Sequence, residues 1–366
     1  RNRVGKGYAH DVVVGDMNVD GKMDVVTCDK TKVVLWEQVS PDSWVEHIVA
    51  ERAGEGIALA DMDGDGDLDI VYGGSWLENP GSQKKTPWKS HSIATKWSPD
   101  TRVFVADMNK DGRPDVVLTV SEGKGTLSWF KSPENPRTGI WVEHPIEKGI
   151  LEGAHSLEVA DFDGDGELDV LTAEMHTSRK KRVLVYLNKK GSFEPHVLAR
   201  TGSHNMRVGD IDGDGDIDIV GKNYAGPGRV IEMWENQSSD AKKWKYVSID
   251  GTRPKSEKGT MGLCFTDADR DGYTDVVAGS FLYLNPGGNL EGGWKRTRIV
   301  DGMDIIFATD VDVDKYCDLI GIAGDTVYWI EATDEKASSW KTQLVGKVAK
   351  GRTQGSFKAK LVPGEK

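Results

Sequence analysis

No apolar run in this sequence approaches the roughly 20 residues that a membrane-spanning helix needs. Helical periodicity is missing as well: no long stretch repeats its apolar residues every three to four positions, as a packed helix must. Cysteine is scarce. Cys28, Cys264 and Cys317 are odd in number and far apart, which implies no disulfide framework and reads as small buried hydrophobes. Positive charge is short too: 47 Lys and Arg face 59 Asp and Glu, a net charge of −12. A nucleic-acid partner asks for a basic stripe, so that class is excluded. There is no G-x-S-x-G elbow and no G-x-x-x-x-G-K phosphate loop. What remains is a chain of 366 residues, 37% apolar, carrying 43 Gly and many Val, Ile and Trp. That composition is enough for a large core and points to an all-β fold.

The acid is concentrated: roughly half of the 59 Asp and Glu lie in seven short loops that start at Asp16, Asp61, Asp107, Asp161, Asp210, Asp267 and Asp310, spaced 43 to 57 residues apart. Repeats of that length in an all-β chain indicate propeller blades of four strands each. In every unit an apolar first strand ("SLEVA", "IALA") runs into the acidic loop, and a second ("DVLTA", "DIVYG") leaves it. A third strand carries an aromatic signature ("SWLENP", "LSWFKSP", "EMWENQ", "LYLNPG") and a fourth another ("WVEHIV", "WKSHSI", "WVEHPI"). The units span about 10–50, 55–94, 101–147, 155–199, 204–250, 261–300 and 304–346, which makes residues 1–366 a single seven-bladed β-propeller domain. Eight blades are the alternative, because 353–366 reads either as ring closure or as the start of a further blade. Eleven of the twelve Trp fall on third- or fourth-strand positions, and His47, His91, His144 and His196 share one fourth-strand slot, so both sets read as blade packing.

The loops read as calcium sites. Alternate carboxylates on a tight Gly-containing turn converge on one hard cation, and Ca2+ takes about 6 to 8 oxygens. The expected ligands are Asp16, Asn18, Asp20 and Asp24 in blade 1; Asp61, Asp63, Asp65 and Asp69 in blade 2; and Asp107, Asn109, Asp111 and Asp115 in blade 3. Asp161, Asp163, Asp165 and Asp169 follow in blade 4, Asp210, Asp212, Asp214 and Asp218 in blade 5, Asp267, Asp269, Asp271 and Asp275 in blade 6, and Asp310, Asp312, Asp314 and Asp318 in blade 7. Strand flanks and the absence of Glu at position 12 exclude an EF-hand. Such loops fill only where free calcium far exceeds cytosolic levels, so an extracellular or periplasmic location is expected.

The repeated D-x-D-G-D-G-x-x-D loop between apolar strands resembles the FG-GAP/VCBS repeat propellers. That resemblance implies the propeller fold over nearly the whole chain, but not one function, since the fold serves adhesion receptors, lectin-like modules and carbohydrate lyases. The integrin-type FG…GAP signature is missing. The G-x-H before the first strand and the "WLENP" third strand are similar to propellers of the aldos-2-ulose dehydratase and rhamnogalacturonan lyase kind.

The first strand starts, and the second ends, on the face opposite the acidic loops. Six residues before each first Asp stand His10, Glu55, Thr101, His155, His204, Met261 and Asp304, a ring with three His and two acids. Glu174, His176, Lys222, Asn223 and Tyr224 join it from second-strand ends. A second divalent ion, Zn2+ or Mn2+, would be held by His10, Glu55, His155, Glu174 or His204. Trp97 breaks the tryptophan pattern and suits either a sugar platform or a turn cover. Arg52, Arg102, Arg200, Arg253 and the run from Arg179 to Arg182 make this face basic, which suits an anionic saccharide.

Two functions follow. The first is a carbohydrate lyase or dehydratase working by β-elimination, with His155, His204 or His176 as base, Tyr224 as proton donor and Arg102 or a ring metal acidifying the C–H. Trp97, Asn205, Asn223, Lys222 and Arg253 would bind the substrate. The second is a non-catalytic module that binds carbohydrate or protein through the same face. A monomer is expected in either case.

Overall fold

The computed structural model describes residues 11–28, 31–40, 43–51, 54–81, 86–224, 230–257, 259–287, 289–312, 314–324, 326–347 and 355–358. They form seven antiparallel sheets of four consecutive strands, one per blade of a propeller. The first strands are Asp11–Gly15, Ile57–Ala60, Thr101–Ala106, Ala154–Ala160, Asn205–Gly209, Leu263–Thr266 and Asp304–Thr309. Blade 4 shows the pattern in full: Ala154–Ala160, Asp169–Glu174, Val183–Lys189 and Ser192–Ala199, each bonded to the next. No α-helix occurs among the described residues, and no helix is long and apolar enough to cross a membrane. Gly355–Lys358 pairs in parallel with Asp11–Gly15 as a fifth strand on the axial side of blade 1. The 353–366 segment therefore adds to blade 1 where it is described, and no eighth blade is present among the described residues. A two-stranded ladder of Lys124–Gly125 with Leu151–Glu152 was not legible in the repeat.

Inner strands are continuous runs of Val, Ile and Leu because both of their faces are covered. Fourth strands alternate, with one face in solvent. The apolar side chains pack between blades. Seven clusters occupy the seven gaps, for example Trp129 and Val117 of blade 3 against Leu157 and Tyr186 of blade 4. The gap between blades 7 and 1 is filled in the same way, by Ile306 and Trp329 against Val12 and Trp36. The repeated fourth-strand histidines lie on this scaffold. His91 stacks on Trp76 at 4.4 Å and His144 on Trp129 at 4.3 Å. His47 and His91 each pair with a third-strand glutamate, Glu37 and Glu78, at 2.7 Å.

The ninth loop residue ties the loop to the third strand in blades 1 to 6. Asp218 is 1% exposed. Its Oδ2 accepts the N–H of Ile211 at 3.0 Å, and its Oδ1 accepts the N–H of Asn236, on the third strand, at 2.8 Å. Asp24, Asp69, Asp115, Asp169 and Asp275 repeat the arrangement, bonding the N–H of Gln38, Asn79, Ser132, Asn188 and Asn285. The asparagine of the third-strand signature then reaches the preceding blade: Asn79 Nδ2 donates to Met17 O, Asn236 Nδ2 to Phe162 O and Asn285 Nδ2 to Ile211 O. Replacing Asp218 with Ala strands two buried N–H groups, so unfolding free energy should fall by about 2–4 kcal/mol in urea titrations run in chelator. Asp218→Asn should lose nearly as much, because its NH2 would face an N–H donor.

Candidate functional site

The first loop residue organises each acidic turn. Asp61 Oδ1 accepts the N–H of Gly64 at 2.7 Å and of Asp65 at 3.1 Å, and Oδ2 accepts that of Gly66 at 3.0 Å. The remaining carboxylates are pressed inward. Oxygens of Asp61, Asp63 and Asp69 lie within 4.8 Å of one another, as do those of Asp161, Asp163 and Asp169, of Asp210, Asp212 and Asp218, and of Asp267, Asp269 and Asp271. Several of these oxygens are buried with no hydrogen-bond donor: Asp63 Oδ1, Asp161 Oδ1, Asp269 Oδ1 and Asp318 Oδ1. Burial, then the neighbouring carboxylates, pushes Asp69 up to about 8, and burial is the main cause that lifts Asp24, Asp115, Asp169, Asp218, Asp275 and Asp318 to about 7. Crowded, partly orphaned oxygens fit a hard divalent cation. The ninth-position oxygens have lone pairs left beside their N–H bonds, so the clamp and a ligand role are compatible. Blade 7 departs from the others. Lys315 replaces the glycine at φ 73°, and Asp318 Oδ1 loses its third-strand partner because the Ala332 N–H turns to Cys317 O.

On the opposite face, the expected ring is a buried belt between blades. His155, His204, Arg102 and Glu55 are each at most 2% exposed. Arg102 donates Nη1 to Asp11 Oδ1 at 2.5 Å, Nε to His155 O at 2.9 Å and Nη2 to His155 Nδ1 at 2.8 Å, joining blades 1, 3 and 4. Asp11 Oδ2 accepts the N–H of Gly56, and Ser121 Oγ donates to Glu55 Oε2 at 2.8 Å. Ser156 Oγ donates to His204 O, and Asn205 Nδ2 to Met261 O at 2.6 Å. Asp304 accepts the N–H groups of Met261 and Gly262. The backbones come so close that a Cβ on Gly262 would lie 1.8 Å from Ile305 O.

The structure assembles some of the expected residues and separates others. His155 sits in a bulge between Ala154 and Ser156, which re-aims its ring. It stacks on His204 at 3.9 Å; Tyr224 meets His204 edge-on at 4.8 Å and His176 at 5.0 Å. Asn223 Nδ2 donates to Gly202 O, leaving Oδ1 to accept His176 Nδ1–H at 3.2 Å. Burial lowers the His176 pKa, so the ring stays neutral with Nε2 as an acceptor. Glu174 does not join: Arg182 holds it with two bonds, at 2.7 and 3.1 Å. Burial pushes that carboxyl up, but the guanidinium and the Arg182 and Glu152 N–H groups hold it below its usual range. Lys222 Nζ donates to Gly262 O at 2.7 Å, and burial pushes its ammonium down to about 7. Arg253 Nη1 donates to Asn223 O and Nη2 to Thr260 Oγ1, both at 2.9 Å. Trp97 is half-buried, packed edge-on against Phe130 at 5.3 Å, and covers a turn. His10 and Arg52 lie outside the described residues.

Glu122 is a neighbour the repeat did not reveal. Its carboxylate lies 3.8 Å from His155 Nε2, and that of Glu55 lies 3.9 Å away. The three bring ligand atoms within 4.8 Å of one another. Arg102 Nη2, which can only donate, lies 2.8 Å from His155 Nδ1 and 3.4 Å from Nε2, so the guanidinium competes with a cation for this ring. The belt was within reach of the sequence, one column over: five residues before each first Asp stand Asp11, Gly56, Arg102, Ser156, Asn205, Gly262 and Ile305.

No curated protein matches the sequence. Among solved structures, an Agrocybe aegerita lectin described as recognising non-reducing terminal N-acetylglucosamine aligns over 92% of this chain and 94% of its own, at 16% identity and a TM-score of 0.60. A rhamnogalacturonan lyase of Bacillus licheniformis aligns over 96% and 73% at 14% identity and a TM-score of 0.43. The biofilm matrix protein Bap1 of V. cholerae aligns over 94% and 73% at 14% identity and a TM-score of 0.40. The FG-GAP-like repeat matches residues 16–72, 61–118, 107–172 and 161–221, each segment running from one acidic loop to the strand after the next. With that motif matched over more than half its length and repeated as seven blades, the chain belongs to the FG-GAP-like repeat family.

Proposed function

We propose that this chain is a calcium-stabilised, extracellular or periplasmic propeller that binds saccharide on the face opposite its acidic loops. The observation that carries this reading is the half-exposed His176–Tyr224 pair. Tyr224 offers an aromatic ring to a sugar face, and His176 Nε2 offers a hydrogen-bond acceptor held in place by Asn223. His204 and His155 back the pair as buried rings, so it is rigid before any ligand arrives. Exposed Arg179, Lys180 and Lys181 follow on the adjoining hairpin, which favours an anionic sugar. The lectin that shares the fold is described as recognising a terminal N-acetylglucosamine, in keeping with a sugar ligand.

Elimination chemistry is the second reading, and His176 is what favours it. A neutral imidazole with a free Nε2 lone pair can take a proton as well as accept a hydrogen bond. The cations assigned to acidify the C–H, Arg102 above all, are buried with their donors on protein acceptors. Binding therefore stands first.

Titration of uronic-acid and N-acetylhexosamine oligosaccharides by calorimetry tests both readings. Tyr224→Ala and His176→Ala should each weaken binding by about tenfold with an unchanged melting temperature. Absence of binding by the wild type across such a panel overturns the proposal, and ultraviolet absorbance from an unsaturated product would promote the lyase. Arg102→Met separates the roles of that residue. As a belt residue it should cost about 3–5 kcal/mol of stability by stranding the buried Asp11 carboxylate; as a catalytic cation it would lose activity at full stability.

A further inference from the structure

The seven loops differ in what stands next to their carboxylates. In blade 4, Lys189 ends the third strand and sends Nζ between Asp163 Oδ2 and Asp165 Oδ2, the latter at 2.9 Å. In blade 2, Arg137 crosses from the hairpin of blade 3. Its Nη2 lies 2.5 Å from Asp63 Oδ2 and 3.3 Å from Asp65 Oδ2, while Nε donates to Glu78 Oε1. Blades 2, 4 and 5 carry the complete D-x-D-G-D-G set, yet blade 5 has no Lys or Arg within ion-pair distance of Asp210, Asp212, Asp214, Asp216 or Asp218 among the described residues. The buried Oδ1 of Asp216 has no donor, as is also true of Asp67 Oδ1 in blade 2. The difference is written in one residue: Asn188 is followed by Lys189, whereas Asn236 is followed by Gln237.

We infer that Lys189 and Arg137 are tethered cations that stand in for the metal, so that of the three complete loops blade 5 takes a divalent cation first, while blades 2 and 4 take one only by displacing the side chain that occupies them. This rests on the calcium reading of the loops. A metal entering blade 4 must break the Lys189 pairs, and a site competent for only part of the time binds more weakly in proportion. An ion pair with its cation largely in solvent is worth about 1 kcal/mol, so the expected penalty is about fivefold in affinity. The tether has a use of its own, because it lets those loops keep their shape when calcium is scarce.

The two blades provide a reciprocal exchange. Calcium is titrated by calorimetry into chelator-stripped full-length protein: wild type, Lys189→Gln, Gln237→Lys, and Lys190→Asn as a control. Lys190 carries the same charge one residue further on and pairs with no acid among the described residues. Lys189→Gln should tighten one weak site by about fivefold, and Gln237→Lys should weaken the tightest site by a similar factor. In chelator, Lys189→Gln should melt below wild type and recover when calcium is added. Unchanged isotherms in both exchange variants, or an equal shift from Lys190→Asn, overturn the tether and leave calcium binding intact. If no protein in the set binds calcium, the calcium reading itself fails.

Discussion

One buried carboxylate per blade decides where the loop and the third strand go. In blades 1 to 6 the ninth loop residue is read by two backbone N–H groups, one in the turn it closes and one at the end of the neighbouring third strand. An aspartate suits both because it accepts on two oxygens and donates on neither. Burying it without those N–H groups would be costly, so the sheet must bring them. The same residue stacks carboxylates at the loop mouth, which leaves orphaned oxygens inside and a demand for positive charge. The crowding of unpartnered carboxylate oxygens on this face is thus a by-product of how the blade is pinned.

The opposite face solves a different problem. Inner strands of adjacent blades approach closely enough for backbone groups to need partners across the gap, and the belt supplies them from side chains. That demand absorbs most of the polar residues that a repeat alignment gathers there. His176 and Tyr224, where the second strands of blades 4 and 5 end, are partly exposed beside it.

Fold and blade count were legible because the motif repeats in register and the tryptophans repeat with it. The loop residues were legible as a set, but the clamp role of position nine was not, since it depends on a third strand about ten to twenty residues away. At the ring, alignment placed His155 and His204 side by side correctly and could not tell burial from exposure. Arg102, Lys222 and Arg253 look like surface cations in sequence and turn out to be inter-blade pins, because each finds carbonyl or carboxylate partners across a gap. Glu122 lies off the repeated columns and was invisible. Trp97, irregular in the tryptophan pattern, is half-buried against Phe130.

The placement of the apolar clusters has a consequence for how the molecule comes apart. Each cluster belongs to a gap between blades, and the gap from blade 7 back to blade 1 is filled like the others. A linear stack of repeats has ends, and its melting starts there by fraying. A closed ring has none. The first blade to let go must bare two apolar faces at once, leaving an open arc whose new ends then fray freely. The barrier lies in breaking the circle, so the ring should behave as one cooperative unit although it is built from seven nearly interchangeable parts.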